Sequence, residues 1–358
     1  MSDRVYLRPT SFIDAPFGLD EQARRLAGGL LWFSAVEIVR VEGRRLAVEL
    51  LPVAELERRL PELGAGAQAA WANILKPRAP LALGSRTVRL DQPQVVGILN
   101  TTPDSFSDGG RFEGGEADAG FAMASAGAAI VDVGGESTRP GAKPVWEGDE
   151  VTRVLPVVQR LAASGTAVSI DTRKSVVMEA ALGAGAGMVN DVSALLWDER
   201  SAGVVAKAGC PVVLMHHQGD PETMQQAPHY ERPVLVEVYD WLEARIAAAE
   251  AAGIARERIV VDPGFGFGKN VQHNLQAMNG LSMLHGLGCA VMIGASRKRT
   301  IGAISAEAPA DRRLAGSIAF ALKAADQGVQ LFRVHDVEES VQALRVWRAM
   351  RDCALTPG

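Results

Sequence analysis

Short apolar runs that end directly in polar or charged residues recur along this chain. In one of them, Val95–Leu99 is followed by Asn100 and by the loop Thr101–Gly110, which carries Phe106 in its middle. The proline, aspartate, serine and glycine residues of this loop are typical turn formers. A loop with so many polar side chains is typical of a mobile cover over an active site. An ordinary surface loop could have the same composition, so the recurrence of the pattern decides between the two.

The segment Asp262–Lys269, DPGFGFGK, indicates a site for a flat ligand. Its three glycines allow the backbone to approach a ligand closely, and Phe265 and Phe267 offer flat apolar surfaces. An ionised Asp262 only accepts hydrogen bonds, so it suits a planar ring with two adjacent N–H donors. Asp171 and Asn190 offer further hydrogen-bonding groups for such a ring, and Lys298 could donate to a ring carbonyl. Together they indicate a nitrogen heterocycle such as a pterin or a guanine edge, although Asp171 could instead cap the helix predicted near Arg173.

A second set of residues suits phosphate and a divalent cation. Arg333 and His335 are two potential cations just before a helix predicted to begin at Val337. Asn100 and Asp108 offer oxygen ligands for Mg²⁺, which usually binds one or two protein groups together with substrate phosphates. A phosphorylated heterocycle with Mg²⁺ is therefore expected. The pair His216-His217 is weaker evidence, because neighbouring residues of a strand point to opposite faces and at most one would enter the site.

The elements that must position these residues form eight strand–helix repeats. The predicted strands are Val95–Leu99, Ala129–Val133, Ala167–Ile170, Met188–Val192, Pro211–Met215, Ile259–Val261, Ala290–Ile293 and Leu331–Val334. Helical segments such as Glu150–Ala163, Val234–Ala252 and Asp311–Gln327 lie between them. This pattern predicts a (β/α)8 barrel, and an open doubly wound sheet is the second choice because no glycine-rich turn follows the first strand.

Each predicted strand ends in a group able to form hydrogen bonds. These groups are Asn100, Asp132, Asp171, Asn190, His216, Asp262, Ser296, and Arg333 with His335. In a barrel, the carboxyl ends of all strands converge on one face. Helix capping explains a single such residue, but it does not explain all eight, so we expect a small-molecule site at this face.

Residues 1–80 are predicted to form a small α/β extension, and residues 81–358 the barrel. Within the extension, Leu31–Val39 and Leu46–Leu51 have strand character and Val53–Leu60 has helical spacing. Gly64–Gln68 and Pro77–Pro80 contain breakers, and Leu81–Leu90 is predicted to be a hairpin leading into the barrel. No catalytic pattern is present in the extension, so a role in packing or oligomerisation is expected.

The composition limits the cellular context. The net charge of −5, with 22% charged residues, gives no reason to expect nucleic acid or an anionic membrane as a partner. The three cysteines, Cys210, Cys289 and Cys353, share no metal-ligand spacing and suit a reducing compartment. There is no pattern of a signal peptide and no uncharged run long enough to cross a bilayer, so we expect a cytoplasmic protein.

The motifs of residues 81–358 resemble those of the dihydropteroate synthase family in continuous order. The motifs are LNTTPDSFSDGG (99–110), IVDVGGESTRPGA (130–142), SIDT (169–172), VNDVS (189–193), LMHHQG (214–219), DPGFGFGKN (262–270), GASRK (294–298) and RVHDV (333–337). That family is a pterin-binding (β/α)8-barrel family of folate biosynthesis and a sulfonamide target. It condenses 6-hydroxymethyl-7,8-dihydropterin pyrophosphate with p-aminobenzoate to give 7,8-dihydropteroate and pyrophosphate. We also expect a homodimer.

The resemblance assigns roles residue by residue. It implies that the pterin is held by Asp171, Asn190, Met215, Asp262, Lys298 and Arg333, with Met215 and Arg333 packing on its two faces. It implies that the aminobenzoate pocket is lined by Phe106, Thr138, Arg139, Pro140, Phe267 and Ser296. The groups nearest the reacting atoms would be Asn100, Asp108, Lys298, Arg333 and His335, and Asn100 would be the Mg²⁺ ligand. Arg299 stands where some members of the family have a serine that meets the aminobenzoate carboxylate, so Arg299 either meets it or points outward.

Two alternatives remain at this point. A pterin-dependent methyltransferase would share the Asp and Asn pterin groups, but it should lack the TPDSFSDGG, ESTRPGA and SRK motifs, which are all present here. A non-catalytic pterin-binding protein should show damage in the loop motifs, and these are intact.

Overall fold

The structure, a computed structural model, describes residues 4–43, 45–101, 115–137, 144–219 and 224–356. It begins with an antiparallel sheet of strands β1 (Tyr6–Ile13), β2 (Arg24–Arg25), β3 (Trp32–Glu42) and β4 (Arg45–Pro52), in which β3 pairs with the other three. Two helices follow, α1 (Val53–Arg59) and α2 (Ala65–Leu75). The predicted β3, β4 and α1 are confirmed. The interpretation of Gly64–Gln68 as a break was wrong beyond Gly64, because an alanine-rich segment with high helix propensity starts α2 at Ala65.

The predicted hairpin is also confirmed, as β5 (Leu81–Leu83) and β6 (Arg86–Val88). Its side chains Leu81, Leu83 and Val88 form one buried cluster with residues at or near the beginnings of the barrel strands, including Ile130 and Met188. The hairpin therefore covers the end of the barrel at which the strands begin. The opposite end, at which the strands finish, is left for the polar residues.

Eight parallel strands form a closed barrel, which confirms the predicted (β/α)8 fold. They are β7 (Gln94–Asn100), β8 (Ile130–Gly134), β9 (Val168–Asp171), β10 (Met188–Asp191), β11 (Val212–Met215), β12 (Ile259–Asp262), β13 (Ala290–Ile293) and β14 (Leu331–Val334). Strand β14 pairs with β7 and closes the barrel. Nearly all residues of these strands are buried, because a parallel barrel has side chains inside and helices outside.

Helices connect the strands on the outside of the barrel. They are α3 (Glu116–Ala126), α4 (Glu147–Ala163), α5 (Ser175–Gly183), α6 (Ser201–Ala208), α7 (Val234–Ala251), α8 (Val271–Asn279), α9 (Arg299–Ile304), α10 (Leu314–Ala325) and α11 (Val337–Ala354). The helices bury part of their surface; in α4, for example, Val154, Val157 and Leu161 recur at helical spacing and are buried. Across the described ranges, every helix is too short or too polar to traverse a lipid bilayer.

The N-terminal sheet and helices pack directly on the barrel. One continuous hydrophobic cluster includes Phe33 and Trp71 of the extension together with Leu284 of the barrel. Hydrogen bonds cross the same contact: Ser282 Oγ donates to the Pro9 carbonyl at 2.8 Å, and Asn73 Nδ2 donates to the Gly286 carbonyl at 2.9 Å. The 3-10 helix Leu281–Leu287 is completely buried at this contact. The boundary at residue 80 stays a prediction, but the two parts share a core.

This shared core makes the extension necessary for stability. Deleting residues 1–80 would expose the apolar residues of 281–287 to water, at about 25 cal/mol for each Å² of apolar surface. We expect the truncated chain to unfold at a clearly lower temperature and to aggregate, as measured by thermal unfolding and by mass in solution. Ser282→Ala, which removes only one hydrogen bond, should lose only about 1 kcal/mol. A truncated chain with the melting temperature of the full chain would show that the contact contributes nothing.

Candidate functional site

The polar strand ends meet at one mouth of the barrel, the end where the strands finish. The strand register places Asn100 beside Gly134, Gly134 beside Asp171, and Asp171 beside Asn190. On the far side of the barrel, Met215 of β11 pairs with Asp262 of β12. The predicted convergence of these residues on one face is therefore confirmed.

Arg333 ties three of the strands together at the centre of this mouth. Its Nε donates to Asp132 Oδ2 and its Nη2 donates to Asp171 Oδ2, each at 2.6 Å. Asn190 Nδ2 donates to the same Asp132 oxygen at 2.9 Å. The guanidinium suits this task because its donors form a planar fork with a permanent charge. The two neighbouring carboxylates raise the pKa of Arg333 further, against the effect of burial.

Both carboxylates keep one oxygen without a partner. Asp132 Oδ1 and Asp171 Oδ1 are buried and accept no hydrogen bond from any described residue. Burial raises the pKa of Asp171, and nearby Asp132 raises it too, while Arg333 opposes the shift. A buried acceptor left unpaired costs about 1–3 kcal/mol, so these two oxygens are suited to N–H donors of a ligand.

The alternative role of Asp171 as a helix cap is wrong. The first turn of α5 is capped from another segment, since Asp198 Oδ2 accepts from the Ser175 backbone N–H at 2.9 Å. Asp171 instead bonds to Arg333 across the barrel. It is therefore available for a ligand at the mouth.

Asp262 lies at the end of β12 and is 3% exposed. Its Oδ1 accepts from the Gly264 backbone N–H at 2.7 Å, and its Oδ2 lies so close to Gly294 that a Cβ there would be 3.9 Å from it. Burial raises the pKa of Asp262 to about 6, and the Gly264 N–H, Lys298, Arg333 and Lys269 act in the opposite direction. The carboxylate thus remains mostly ionised at neutral pH.

The glycine loop after Asp262 depends on backbone that only glycine adopts easily. Gly264 has φ +68°, and a Cβ there would lie 1.8 Å from the His216 carbonyl oxygen. Phe267 is half-buried, and Lys298 Nζ lies 4.3 Å from its ring centroid, in a cation–π contact. The expectation for Phe265 was wrong, because it is 3% exposed and belongs to the hydrophobic core. One flat surface, that of Phe267, therefore reaches the loop surface.

Ser296 and His335 form a pair next to Arg333. The Ser296 Oγ accepts from the His335 backbone N–H at 3.2 Å and lies 3.1 Å from His335 Nδ1. Burial lowers the pKa of His335 to about 3, and the charges of Arg297 and Arg333 lower it further. The expectation of two cations here was therefore wrong: Arg333 is charged, whereas His335 is neutral and can donate one N–H. Arg299, at the start of α9, is exposed.

The two histidines after β11 do not alternate as residues of a strand. The strand ends at Met215, and both rings contact Trp241, with centroid distances of 5.0 Å for His216 and 5.7 Å for His217. The reason given for excluding one of them was therefore wrong. His216 is buried, and its Nδ1 lies 2.8 Å from Lys269 Nζ.

A buried charge cluster supports the neighbouring strands β8 and β9. Glu136 accepts from Arg173 Nη2 at 2.6 Å and from Lys174 Nζ, which also pairs with Glu150. The Arg173 guanidinium lies 3.7 Å from the ring centroid of Trp197. Removing one member of such a buried network typically destabilises a fold, because the others are left unpaired.

Several predicted residues lie outside the described ranges. They are Phe106, Asp108, Thr138, Arg139 and Pro140. Conversely, sequence reasoning placed Asp132 at the mouth without giving it a role in binding, and it did not assign Lys269 to the site. The signal for Asp132 was its place at a strand end, whereas nothing in the sequence marked Lys269 beyond its place after the glycine loop.

The described residues hold no cluster of three or more His, Cys, Asp or Glu side chains arranged to bind a metal. Asn100, the predicted Mg²⁺ ligand, ends β7 at the mouth and is partly exposed. A single amide oxygen fits a Mg²⁺ ion held mainly by water and substrate phosphates, and it does not fit a metal site made of protein groups alone.

Comparison with known proteins agrees with this geometry. A family model described as "Pterin binding enzyme" matches residues 96–335. The dihydropteroate synthase of Escherichia coli (strain K12) is 45% identical over 263 residues, covering 73% of this chain and 92% of that protein. That of Mycobacterium leprae (strain TN) is 47% identical over 262 residues, covering 71% and 92%.

Solved structures of similar proteins give the same result. The Yersinia pestis dihydropteroate synthase in complex with a sulfonamide drug superposes with a TM-score of 0.73 at 42% identity, over 76% of this chain and 100% of that one. The Xanthomonas albilineans enzyme with 4-aminobenzoic acid gives a TM-score of 0.71 at 46% identity, over 76% and 98%. Because the family model and these relatives match the barrel that carries the site, the chain belongs to the pterin-binding enzymes and, among them, to the dihydropteroate synthases, which are transferases.

Proposed function

We propose that the barrel mouth binds 6-hydroxymethyl-7,8-dihydropterin pyrophosphate and joins its pterin to p-aminobenzoate, releasing 7,8-dihydropteroate and pyrophosphate. The observation that carries this proposal is the set of carboxylate oxygens at the mouth, above all the unpaired Asp132 Oδ1 and Asp171 Oδ1. A dihydropterin has several N–H donors in one plane and matches them. Solved relatives from Xanthomonas albilineans are described with 4-aminobenzoic acid and with 7,8-dihydropteroate.

The site residues divide between the pterin and its leaving group. Asp262 accepts from the adjacent N–H groups of the pterin, Asp171 and Asn190 bond the rest of its edge, and Lys298 donates to the ring carbonyl. Met215 and the Arg333 guanidinium pack on the two faces. Arg333 also stabilises the charge that develops on the departing pyrophosphate, and the neutral His335 donates an N–H to it.

The chemistry needs no protein nucleophile. The bond between the pterin methylene carbon and the pyrophosphate oxygen breaks, the aromatic amine forms the new C–N bond, and the amine loses a proton to water or pyrophosphate. The buried carboxylates of Asp171 and Asp262 stabilise a cationic pterin intermediate. Aminobenzoate enters on the side of Phe267 and Ser296. The resemblance assigns Phe106, Thr138, Arg139 and Pro140 to the same substrate, and these four lie outside the described residues. We further propose that sulfonamides compete for this position.

A pyrophosphate-release assay tests the proposed reaction. With the pterin pyrophosphate, aminobenzoate and Mg²⁺ present, release should require aminobenzoate and should equal the dihydropteroate formed. Release without aminobenzoate, or none from protein that binds the pterin, would contradict the synthase activity. The second outcome would instead support the non-catalytic alternative. The methyltransferase alternative has no support from the comparisons, in which the relatives named above are synthases.

We propose Mg²⁺ as the cofactor, with Asn100 as its protein ligand. When bound, it supplies charge that neutralises the substrate diphosphate. Removing it with a chelator should weaken binding of the pterin pyrophosphate by at least about tenfold, while the Kd of 6-hydroxymethyl-7,8-dihydropterin, which lacks the diphosphate, stays the same. Asn100→Ala should reduce this dependence on Mg²⁺. Equal effects of the chelator on both ligands would contradict the proposal.

We propose a homodimer formed through α10 and α11. Between these helices lies an apolar groove of about 360 Å³ lined by Ile318, Leu322, Val346, Trp347 and Met350. Val346 and Met350 are more than half exposed, which is unusual for neighbouring large apolar residues on one helix face.

Met350→Asp should shift the mass in solution from dimer to monomer, because it places a charge in the apolar contact. The matched variant Arg348→Asp changes an exposed residue of the same helix and should leave the mass unchanged. A wild-type protein of monomer mass at micromolar concentration would contradict the dimer.

We propose a cytoplasmic location. Cys210 and Cys289 are buried, Cys353 is exposed, and none of these free thiols forms a disulfide. Free thiols are usual in a reducing compartment.

A further inference from the structure

The ammonium group of Lys269 lies at the centre of the glycine loop behind Asp262. Lys269 Nζ is 2.8 Å from His216 Nδ1, 3.1 Å from the Gly264 carbonyl oxygen and 3.2 Å from the Phe267 carbonyl oxygen. Its side chain is among the largest that are fully buried in the described structure. Burying a lysine so completely is costly, and such a residue is rare unless its charge is used.

The three contacts define the state of both side chains. A lysine ammonium has three N–H donors and no acceptor, and here three acceptors surround it. While Lys269 is charged, His216 Nδ1 accepts, so the ring is neutral and its hydrogen is on Nε2. Burial lowers the pKa of His216 well below its ordinary value, and the charge of Lys269 lowers it further. No carboxylate among the described residues lies within ion-pair distance of Lys269 Nζ.

Gly264 connects Lys269 to Asp262. Its backbone N–H donates to Asp262 Oδ1 at 2.7 Å, and its carbonyl accepts from Lys269 Nζ. The Asp262 carbonyl in turn accepts from the His216 backbone N–H at 2.9 Å. Lys269 thus holds the residue whose N–H orients the carboxylate, and its charge also acts on Asp262 through space, lowering the pKa of that carboxyl.

We propose that Lys269 is a positioning residue for Asp262: its buried charge orients this carboxylate and keeps it ionised for the N–H donors of a pterin ring. The proposal rests on the proposed role of Asp262 in binding the pterin. In this proposal Lys269 acts on Asp262 without contacting the ligand, whereas the residues at the mouth contact the ligand directly.

The charges around the pair define the pH range in which this support acts. Burial lowers the pKa of Lys269 to about 7, with Asp262 raising it and Lys298 lowering it. Besides Lys269, the charged or titratable groups acting on Asp262 are Lys298 and Arg333; His216 and His273 also face the ammonium. Near pH 6, where Asp262 titrates, Lys269 is charged; above its own pKa it is mostly neutral.

The direction in which pterin binding changes with pH follows from the charges of Asp262 and Lys269. Protonation of Asp262 removes the acceptor that the pterin needs, so binding weakens as the pH falls through the Asp262 pKa of about 6. Without the positive charge of Lys269, that pKa rises, and binding is lost at a higher pH. At high pH both forms of the protein have an ionised Asp262 and a neutral residue 269, so their affinities should converge.

The experiment measures the Kd of 6-hydroxymethyl-7,8-dihydropterin from about pH 5 to about pH 8.5 in full-length variants. Lys269→Gln keeps two N–H donors and removes the charge, whereas Lys269→Arg keeps a charge at every pH. Lys269→Met replaces Lys269→Gln if the latter does not fold. Lys207→Gln, on an exposed part of α6, is the matched control, and Asp262→Asn reports on the proposed function itself.

Lys269→Gln should move the acidic midpoint up by about one unit, which weakens binding about fivefold at pH 6 and about tenfold near pH 5, and it should approach the wild type above about pH 8. Lys269→Arg and Lys207→Gln should keep the wild-type midpoint. A neutral variant with the wild-type midpoint, or one weakened equally at every pH, overturns the proposal, because a purely structural role has no pH dependence. If Asp262→Asn binds as tightly as the wild type, the proposed function of Asp262 fails instead.

Discussion

Arg333→Ala is expected to abolish most of the turnover and to destabilise the barrel at the same time. The loss of the guanidinium removes charge stabilisation from the departing pyrophosphate, and removal of one such group typically costs about 10²–10³ in rate. It also leaves the carboxylates of Asp132 and Asp171 buried without a cation. In the wild-type protein, each of them accepts a hydrogen bond from Arg333 at 2.6 Å. Breaking a buried pair in this way costs about 3–5 kcal/mol of unfolding free energy. Steady-state kinetics and denaturant unfolding measure the two losses separately.

A second variant separates stability from catalysis. Combining Arg333→Ala with Asp171→Asn removes the charge of one of the two carboxylates that were left without a cation. Part of the unfolding free energy should therefore return, while activity remains lost. Arg333→Lys keeps a charge but lacks the fork that bridges β8 and β9. Because a charge remains beside the two carboxylates, Arg333→Lys should lose a smaller fraction of the unfolding free energy than of the turnover. An Arg333→Ala protein with wild-type kcat/KM would remove this residue from the site.

Asp262→Ala is expected to eliminate most of the binding of the pterin ring. Two adjacent N–H donors of the ligand would lose their acceptor inside a buried site, at about 1–3 kcal/mol for each. The Kd of 6-hydroxymethyl-7,8-dihydropterin should therefore rise by at least about thirtyfold at neutral pH. Isothermal titration measures this directly.

Asp118→Ala is the control for Asp262→Ala. Asp118 lies on α3 and pairs with Arg160 at the surface, so its loss should change neither the Kd nor, by more than about 1 kcal/mol, the stability. Wild-type affinity in Asp262→Ala would contradict the assignment of the pterin edge to this carboxylate.

The barrel could be predicted from the sequence because each of its strands is buried on both faces. Such strands appear as continuous apolar runs such as Ala290–Ile293, whose observed bounds agree with the prediction. The polar group at the end of each run predicted the location of the site, because the carboxyl ends of all strands converge on one face of a barrel. In the extension, β1 was missed because Pro9 and several polar residues interrupt its pattern, and α2 was missed because its first residues resemble a loop.

The state of individual site residues could not be predicted, because it depends on neighbours distant in sequence. His335 is neutral because it is buried beside Arg297 and Arg333, and no local pattern shows that burial. The central place of Asp132 depends on Arg333, about two hundred residues later, reaching back across the barrel. Lys269 was not assigned because its partner His216 follows a different strand, β11, and lies 53 residues earlier in the chain.

A crystal structure of the protein with 6-hydroxymethyl-7,8-dihydropterin tests the central claim most directly. We predict that the ring lies between Met215 and the Arg333 guanidinium, with two ring N–H groups within about 3 Å of Asp262 and other donors on Asp171 and Asp132. A ring bound elsewhere, or one whose N–H groups point away from all three carboxylates, would contradict it.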